Sequence, residues 1–256
     1  MNKLVLVTGA TSGIGKACAV VFAQHGHDLI ITGRREDRLV DLAGSLEQEY
    51  HVQVRPLLFD VRVKDEVDEK LRSLGDEVLE KVDILINNAG LAKGLDPVYH
   101  GRMDHWETMI DTNIKGLLYV TRFITPYMVN KRSGHVINVG SIAGKEAYPN
   151  GAVYCATKAA VDALTKGMRM DLYTHGIRVS QVSPGHVEET EFAKVRFDGD
   201  EQRARIYDDF QPLRSADVAD IVYFMATRPL HVNIQDVLVM GSQQASATMV
   251  DRSGRH

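Results

Sequence analysis

The sequence predicts an α/β fold: one domain over residues 1–256, built as a doubly wound parallel sheet with helices on both faces. Three observations carry this expectation. Short apolar runs alternate with helix-patterned segments along the chain. The first apolar run ends in a glycine-rich turn that opens into a helix. The length of 256 residues suits one large α/β domain or two small ones, and no internal repeat, low-complexity tract or Pro-rich linker divides it. Strands that alternate with helices form a parallel sheet covered on both sides, and right-handed crossovers wind it in both directions.

The elements follow in order. Residues 4–7 are a short apolar strand ending before Thr8-Gly9. "GKACAVVFAQHG" has helical periodicity and closes at Gly26, a residue type suited to a helix C-terminus. "HDLIITG" is the second strand, "REDRLVDLAGSLEQEY" the second helix and "VQVRPLLFD" the third strand. "KDEVDEKLRSLGDEV" reads as one polar helix before the strand "VDILINNAG". A long helix runs through "HWETMIDTNIKGLLYVTRFITPYMV", followed by the strand "GHVINVGS". A helix around Tyr154, the strand "IRVSQVSPG", the helix "ADVADIVYFMA" and the strand "DVLVM" complete the pattern. The least regular stretch, about 186–211, is polar and of mixed charge, and lies between a strand end and a helix. That is the place for a substrate lid.

Composition narrows the function. Hydrophobic residues make up 44% and charged residues 25%, with a formal net charge of -4, as in ordinary soluble domains. No block of like charge marks a nucleic-acid or membrane-surface partner. No segment reaches membrane-spanning length, and the apolar start is too short for a signal-peptide core. The two cysteines, Cys18 and Cys155, fit a reducing compartment, so a cytoplasmic location is expected. The ten histidines form no metal-ligand pattern, and no metal is expected.

The turn "Thr8-Gly9-Ala10-Thr11-Ser12-Gly13-Ile14-Gly15" stands between strand and helix, the context of a dinucleotide-binding (Rossmann) fingerprint. Gly9, Gly13 and Gly15 let the backbone turn and approach a pyrophosphate. The residues Thr11, Ser12 and Ile14 bring free N–H groups at a helix terminus. The spacing is G-x-x-x-G-x-G rather than G-x-G-x-x-G. The second strand ends at Gly33-Arg34-Arg35, where an NAD site usually has a carboxylate. A guanidinium matches a 2′-phosphate instead, so NADP is the expected cofactor. Glu36 and Asp37 lie close by, and Asp37 fits the first turn of the next helix.

Tyr154 and Lys158 are four residues apart and share a helix face. A lysine ammonium beside a phenol favours the phenolate and makes the tyrosine a usable acid or base near neutral pH. Taken alone, the pair reads first as a half-buried tyrosine beside a solvated lysine. Cys155 points about 100° away around the helix and reads as packing, as do Trp106 and Met109. His186 stands open between substrate contact and a solvated loop.

Together the motifs resemble the short-chain dehydrogenase/reductase family along nearly the whole chain. They stand in family order: residues 8–15, Asp60-Val61, Asn87-Asn88-Ala89-Gly90, Asn113, Ser141, Tyr154 with Lys158, and Pro184-Gly185. The resemblance implies a hydride transfer in which the cofactor carries the chemistry and the protein orients it. By it, Tyr154 exchanges a proton with the substrate oxygen, and Lys158 holds the nicotinamide ribose and lowers the tyrosine pKa. Ser141 hydrogen-bonds the substrate oxygen, and Asn113 holds a water in a proton path. Asp60 and Val61 face the adenine, Asn87, Ala89 and Gly90 support the adenosine side, and Pro184, Gly185 and Val187 meet the nicotinamide. The family also implies a homotetramer.

Further stretches, among them "NNAGLAKGLDP", "PGHVEETEFAKVRFDGD" and "RPLHVNIQDVLVM", look like bacterial NADP-dependent 3-hydroxy acid dehydrogenases, which act on serine, allo-threonine and 3-hydroxypropionate. A carboxylate on the substrate needs a cation or several N–H donors. Arg196 is the first choice for it, ahead of Arg203 and Arg205. One departure is Glu188-Glu189 where that subgroup has small residues, an acidic pair that would disfavour an anion at the pocket mouth. The alternatives are a reductase of neutral ketones or sugars, and a non-catalytic NADP sensor. The sensor is disfavoured because Asn113, Ser141, Tyr154 and Lys158 are all present.

Overall fold

The computed structural model describes residues 2–188, 190–200 and 209–254. Seven parallel strands form one sheet in the order β3-β2-β1-β4-β5-β6-β7. They are β1 (Leu4–Val7), β2 (Asp28–Gly33), β3 (Val54–Leu58), β4 (Val82–Asn87), β5 (Gly134–Val139), β6 (Ile177–Pro184) and β7 (Asp236–Val239). Strand order reverses between β1 and β4, which opens a crevice at their carboxyl ends.

Side chains alternate across the sheet and feed two cores. Val5, Val7, Leu29, Ile31, Ile84 and Ile86 face one side with Phe22 of α1 (Gly13–Gln24) and Leu39 of α2 (Glu36–Tyr50). Leu6, Ile30 and Leu85 face the other, against Val67 of α3 (Lys64–Arg72) and Val120 and Ile124 further along the chain. Pro56 is tolerated inside β3 because that strand lies at the sheet edge.

Two elements differ from the periodicity. The stretch 64–78 is not one helix. α3 stops at Arg72, and Gly75, at φ +76°, precedes a separate turn α4 (Asp76–Leu79). The long helix is also not uniform: α5 (Met103–Ile110) passes into a π-helical turn (Asp111–Gly116) and then α6 (Leu117–Lys131). Hydrophobic spacing does not reveal one inserted residue, yet such turns recur at functional sites. Further α-helices among the described residues are α7 (Ala152–Leu172), the short α8 (Phe192–Arg196) and α9 (Ser215–Ala226).

Candidate active site

A cavity of about 740 Å³ lies above the carboxyl ends of the strands. Its polar end is built by the turn between β1 and α1. Gly9 has φ +68°, and a Cβ there would press on Ala89 and on the Asn88 side chain at 3.0 and 3.1 Å. A Cβ on Gly15 would collide with the Asn88 amide and the Gly9 carbonyl. Both glycines therefore bring this turn against the strand β4 end, while the α1 N-terminus has no acidic residue in its first turn. Thr8 ties the two ends together: its Oγ1 accepts from Asn88 N and Ala89 N at 3.0 Å.

Of the residues singled out in the sequence, Gly9, Thr11, Ser12, Gly13, Ile14, Arg34, Arg35, Asp60, Val61, Ala89, Gly90, Ser141, Tyr154, Lys158, Pro184, Gly185, Val187 and Arg196 line this cavity. Gly15, Asn87 and Asn113 are not among its lining residues. Asn87 is turned into the sheet interior, where its amide donates to Thr121 Oγ1 at 2.8 Å and to Asn138 Oδ1 at 2.9 Å. The neighbouring Asn88 reaches the cavity instead.

Arg35 is fixed by its neighbours. Its guanidinium donates to Thr11 Oγ1 at 2.8 Å and Ser12 Oγ at 3.0 Å, and also to Glu191. Arg34 stands 3.6 Å from Asp60. Burial works against ionisation of Asp60, but bonds and charge from Arg62, with Arg34 adding to them, hold its carboxyl below the usual range. Asp37 lies in the first turn of α2, clear of the cavity lining. These features fit a nucleotide: a glycine cradle, an open helix N-terminus and guanidinium groups at the end of β2.

Tyr154, Lys158 and Ser141 line the same cavity. Lys158 is buried, and its Nζ donates to Val139 O at 2.9 Å. Burial pushes its pKa down to about 8. Ser141 Oγ accepts from Ala143 N at 3.1 Å, which fixes the hydroxyl at the end of β5. Asn113 sits in the π turn. Its side chain pairs with the backbone of Leu91 in both directions at 2.8 Å and donates to Thr157 Oγ1 at 3.0 Å. A Cβ on Gly90 would lie 3.3 Å from Asn113 Oδ1 and 3.4 Å from Lys158 Nζ, so the two polar groups flank one small gap.

Arg196 is 7% exposed, not solvated. Its Nε donates to Gly94 O at 3.2 Å and its Nη2 to Tyr148 Oη at 3.1 Å. Its guanidinium carbon lies 5.8 Å from the Tyr154 ring centroid. Arg203 and Arg205 lie outside the described residues, as does Glu189. Glu188 stands 3.6 Å from Arg214. His186 lines the cavity against the Phe210 ring, and burial, with Arg252 and Arg196 nearby, pushes its pKa down to about 4. Cys155, Met109 and Trp106 pack in the apolar cluster around Tyr154.

Sequence reasoning missed Tyr148 and Gln244. Gln244 Oε1 accepts from His186 N at 2.8 Å and so pins the turn after Pro184-Gly185 from a remote segment. Neither residue has a local motif; only the fold brings them to the site.

A parallel sheet with this strand order and a glycine cradle at its switch point define a dinucleotide-binding architecture. The chain belongs to the short-chain dehydrogenase family, whose model matches residues 3–201. It is 43% identical over 245 residues to the NADP-dependent 3-hydroxy acid dehydrogenase of Escherichia coli (strain K12), covering 95% of this chain and 97% of that protein. It is 44% identical over 255 residues to sulfoacetaldehyde reductase 2 of Chromohalobacter salexigens, covering 98% and 100%. A solved serine dehydrogenase, in its closed form with NADP+, superposes with a TM-score of 0.90 at 43% identity, covering 95% of this chain and 97% of that one.

Proposed function

We propose that the protein is an NADP-dependent dehydrogenase that moves a hydride between NADP and a short 3-hydroxy acid of the serine, allo-threonine or 3-hydroxypropionate type. The observation that carries this reading is Arg196, a buried guanidinium 5.8 Å from the Tyr154 ring in the same cavity. A cation so close to the acid/base residue suits a substrate with an anionic group near its reacting carbon.

The cofactor, when bound, supplies or accepts the hydride. This chain's residues do the rest. Ser141 and Tyr154 hold the substrate oxygen, and Tyr154 exchanges its proton. The Lys158 ammonium favours the phenolate and binds ribose hydroxyls. Asn113 fixes Leu91 and borders the gap beside Lys158, the place for a water that carries protons onward. Arg34 and Arg35 take the 2′-phosphate. Support for NADP comes from these two guanidinium groups and from the cofactor named for the relatives.

A second reading has its own support. The Chromohalobacter relative is a sulfoacetaldehyde reductase by name, and a guanidinium serves a sulfonate as well as a carboxylate. Assembly as a homotetramer belongs to the same proposal, supported by exposed apolar residues on α5 and α7, Met103, Ile110 and Met170. A cytoplasmic location rests on the two free, buried cysteines.

Arg196→Ala tests the anion site. KM for the hydroxy acid should rise ten- to a hundredfold, roughly 1.5–3 kcal/mol for a charge-assisted contact. A neutral alcohol of similar size should be little affected. Equal losses on both would make Arg196 a support for α8 and remove the argument for an anionic substrate.

A further inference from the structure

The segment after β6 crosses the cavity and fastens itself on the nucleotide side. Thr190 packs on the phosphate turn, where a Cβ on Gly13 would lie 3.1 Å from its methyl carbon. The next residue, Glu191, places one carboxylate oxygen on Arg35 and the other on Arg38 at 2.7 Å. Burial opposes ionisation of Glu191, but the bonds and charges of Arg35 and Arg38 outweigh it and hold its pKa down to about 2. The chain then runs directly into α8, whose Phe192 ring stands edge-on to Tyr154 at 5.6 Å.

We infer that Glu191 is a cofactor-specificity residue: its carboxylate, held on Arg35 and Arg38, competes with the 2′-phosphate of NADP for those guanidinium groups. This rests on the reading that Arg34 and Arg35 receive that phosphate. Arg35 is already oriented by Thr11 and Ser12, so it presents the same fork to either anion. A phosphate monoester carries more charge than a carboxylate and has more acceptor oxygens, so it wins the contest. NAD has no group to offer there, and Glu191 keeps its partners. Glu191 is partly exposed and returns to water at little cost. Its release loosens the end of the lid that leads to Phe192, while Arg196 still holds the other end on Gly94 and Tyr148. The presence of the 2′-phosphate is thereby communicated to the substrate side.

The test compares wild-type and Glu191→Gln protein by calorimetric titration with adenosine 2′,5′-bisphosphate, 5′-AMP, NADP+ and NAD+. Wild-type should prefer the bisphosphate to 5′-AMP; no preference would sink the 2′-phosphate site, and the latch with it. Glu191→Gln should bind the bisphosphate and NADP+ about two- to fivefold tighter, the scale of a partly exposed ion pair, with NAD+ and 5′-AMP unchanged. If the wild-type preference stands but the variant binds the bisphosphate equally or more weakly, Glu191 is no competitor and the inference fails. Amide hydrogen exchange across 190–196 in wild-type protein gives a second readout. It should rise with the bisphosphate and not with 5′-AMP; a fall or no change would also overturn the latch.

Discussion

Tyr154 is the residue on which the proposed chemistry turns. It is 8% exposed, with the Arg196 guanidinium near one side of its ring and Phe192 edge-on to it. Its helix also carries Lys158, whose buried ammonium has a pKa brought down to about 8. Removing the phenol oxygen alone should leave the nucleotide end of the cavity untouched. Tyr154→Phe should therefore lose about 10²–10⁴-fold in kcat with NADP affinity unchanged, as steady-state rates and equilibrium titration would show. A rate within about threefold of wild-type would take the proton exchange away from Tyr154. The glycine turn is readable from its strand–turn–helix context, whereas Tyr154 and Lys158 stand out only through the order of the motifs along the whole chain and not through their spacing alone. Tyr148 and Gln244 were not legible, because each acts through a contact with a segment far off in the chain.

At the scale of elements, the π turn between α5 and α6 is the least legible feature and bears on the site. It carries Asn113, which satisfies both the N–H and the carbonyl of Leu91 just beyond β4. Buried backbone groups left without partners cost about 1–3 kcal/mol. Asn113→Ala should lower unfolding free energy by that order, measured by denaturant titration, and should reduce kcat because the wall beside Gly90 and Lys158 loosens. Full stability together with full activity would show that the turn carries neither role. The strands and main helices were readable because apolar alternation and helical periodicity differ. The break at Gly75 and the π turn were not, since both leave the hydrophobic pattern of their segments almost unchanged. Nor does any local pattern give the lid's anchoring. Lys93, Arg102 and His105 from one region meet Asp198 from another.

The whole molecule is organised by its switch point. Reversal of strand order between β1 and β4 places the glycine turn, the β5 end and the Pro184-Gly185 turn around one cavity. The opposite side of the design carries a pH liability. His135 on β5 is 2% exposed and bonds Ser180 Oγ at 2.7 Å. Burial, then Arg178 and Lys3, push its pKa from 6.5 to about 3. The folded value lies below the unfolded one, so the unfolded chain takes the proton first. Stability therefore falls as pH drops from 6.5 towards 3 and is unaffected by this group above that window. Between pH 7.5 and 5 the loss from His135 should be about 2 kcal/mol at most. His135→Gln, which keeps a partner for Ser180, should flatten that part of the stability profile; an identical slope would exclude His135 as its source.

Initial rates would decide whether the protein is an NADP-dependent oxidoreductase of short hydroxy acids. Serine, allo-threonine, 3-hydroxybutyrate, 3-hydroxypropionate and neutral alcohols would be oxidised with NADP+ and with NAD+, and sulfoacetaldehyde reduced with NADPH and NADH. At least one 3-hydroxy acid should turn over, with a higher kcat/KM than any neutral alcohol and a clear preference for the phosphorylated cofactor. Preference for sulfoacetaldehyde would keep Arg196 as an anion site and move the substrate to the sulfonate class. Faster turnover of neutral alcohols, or a preference for NAD, would contradict the proposed function.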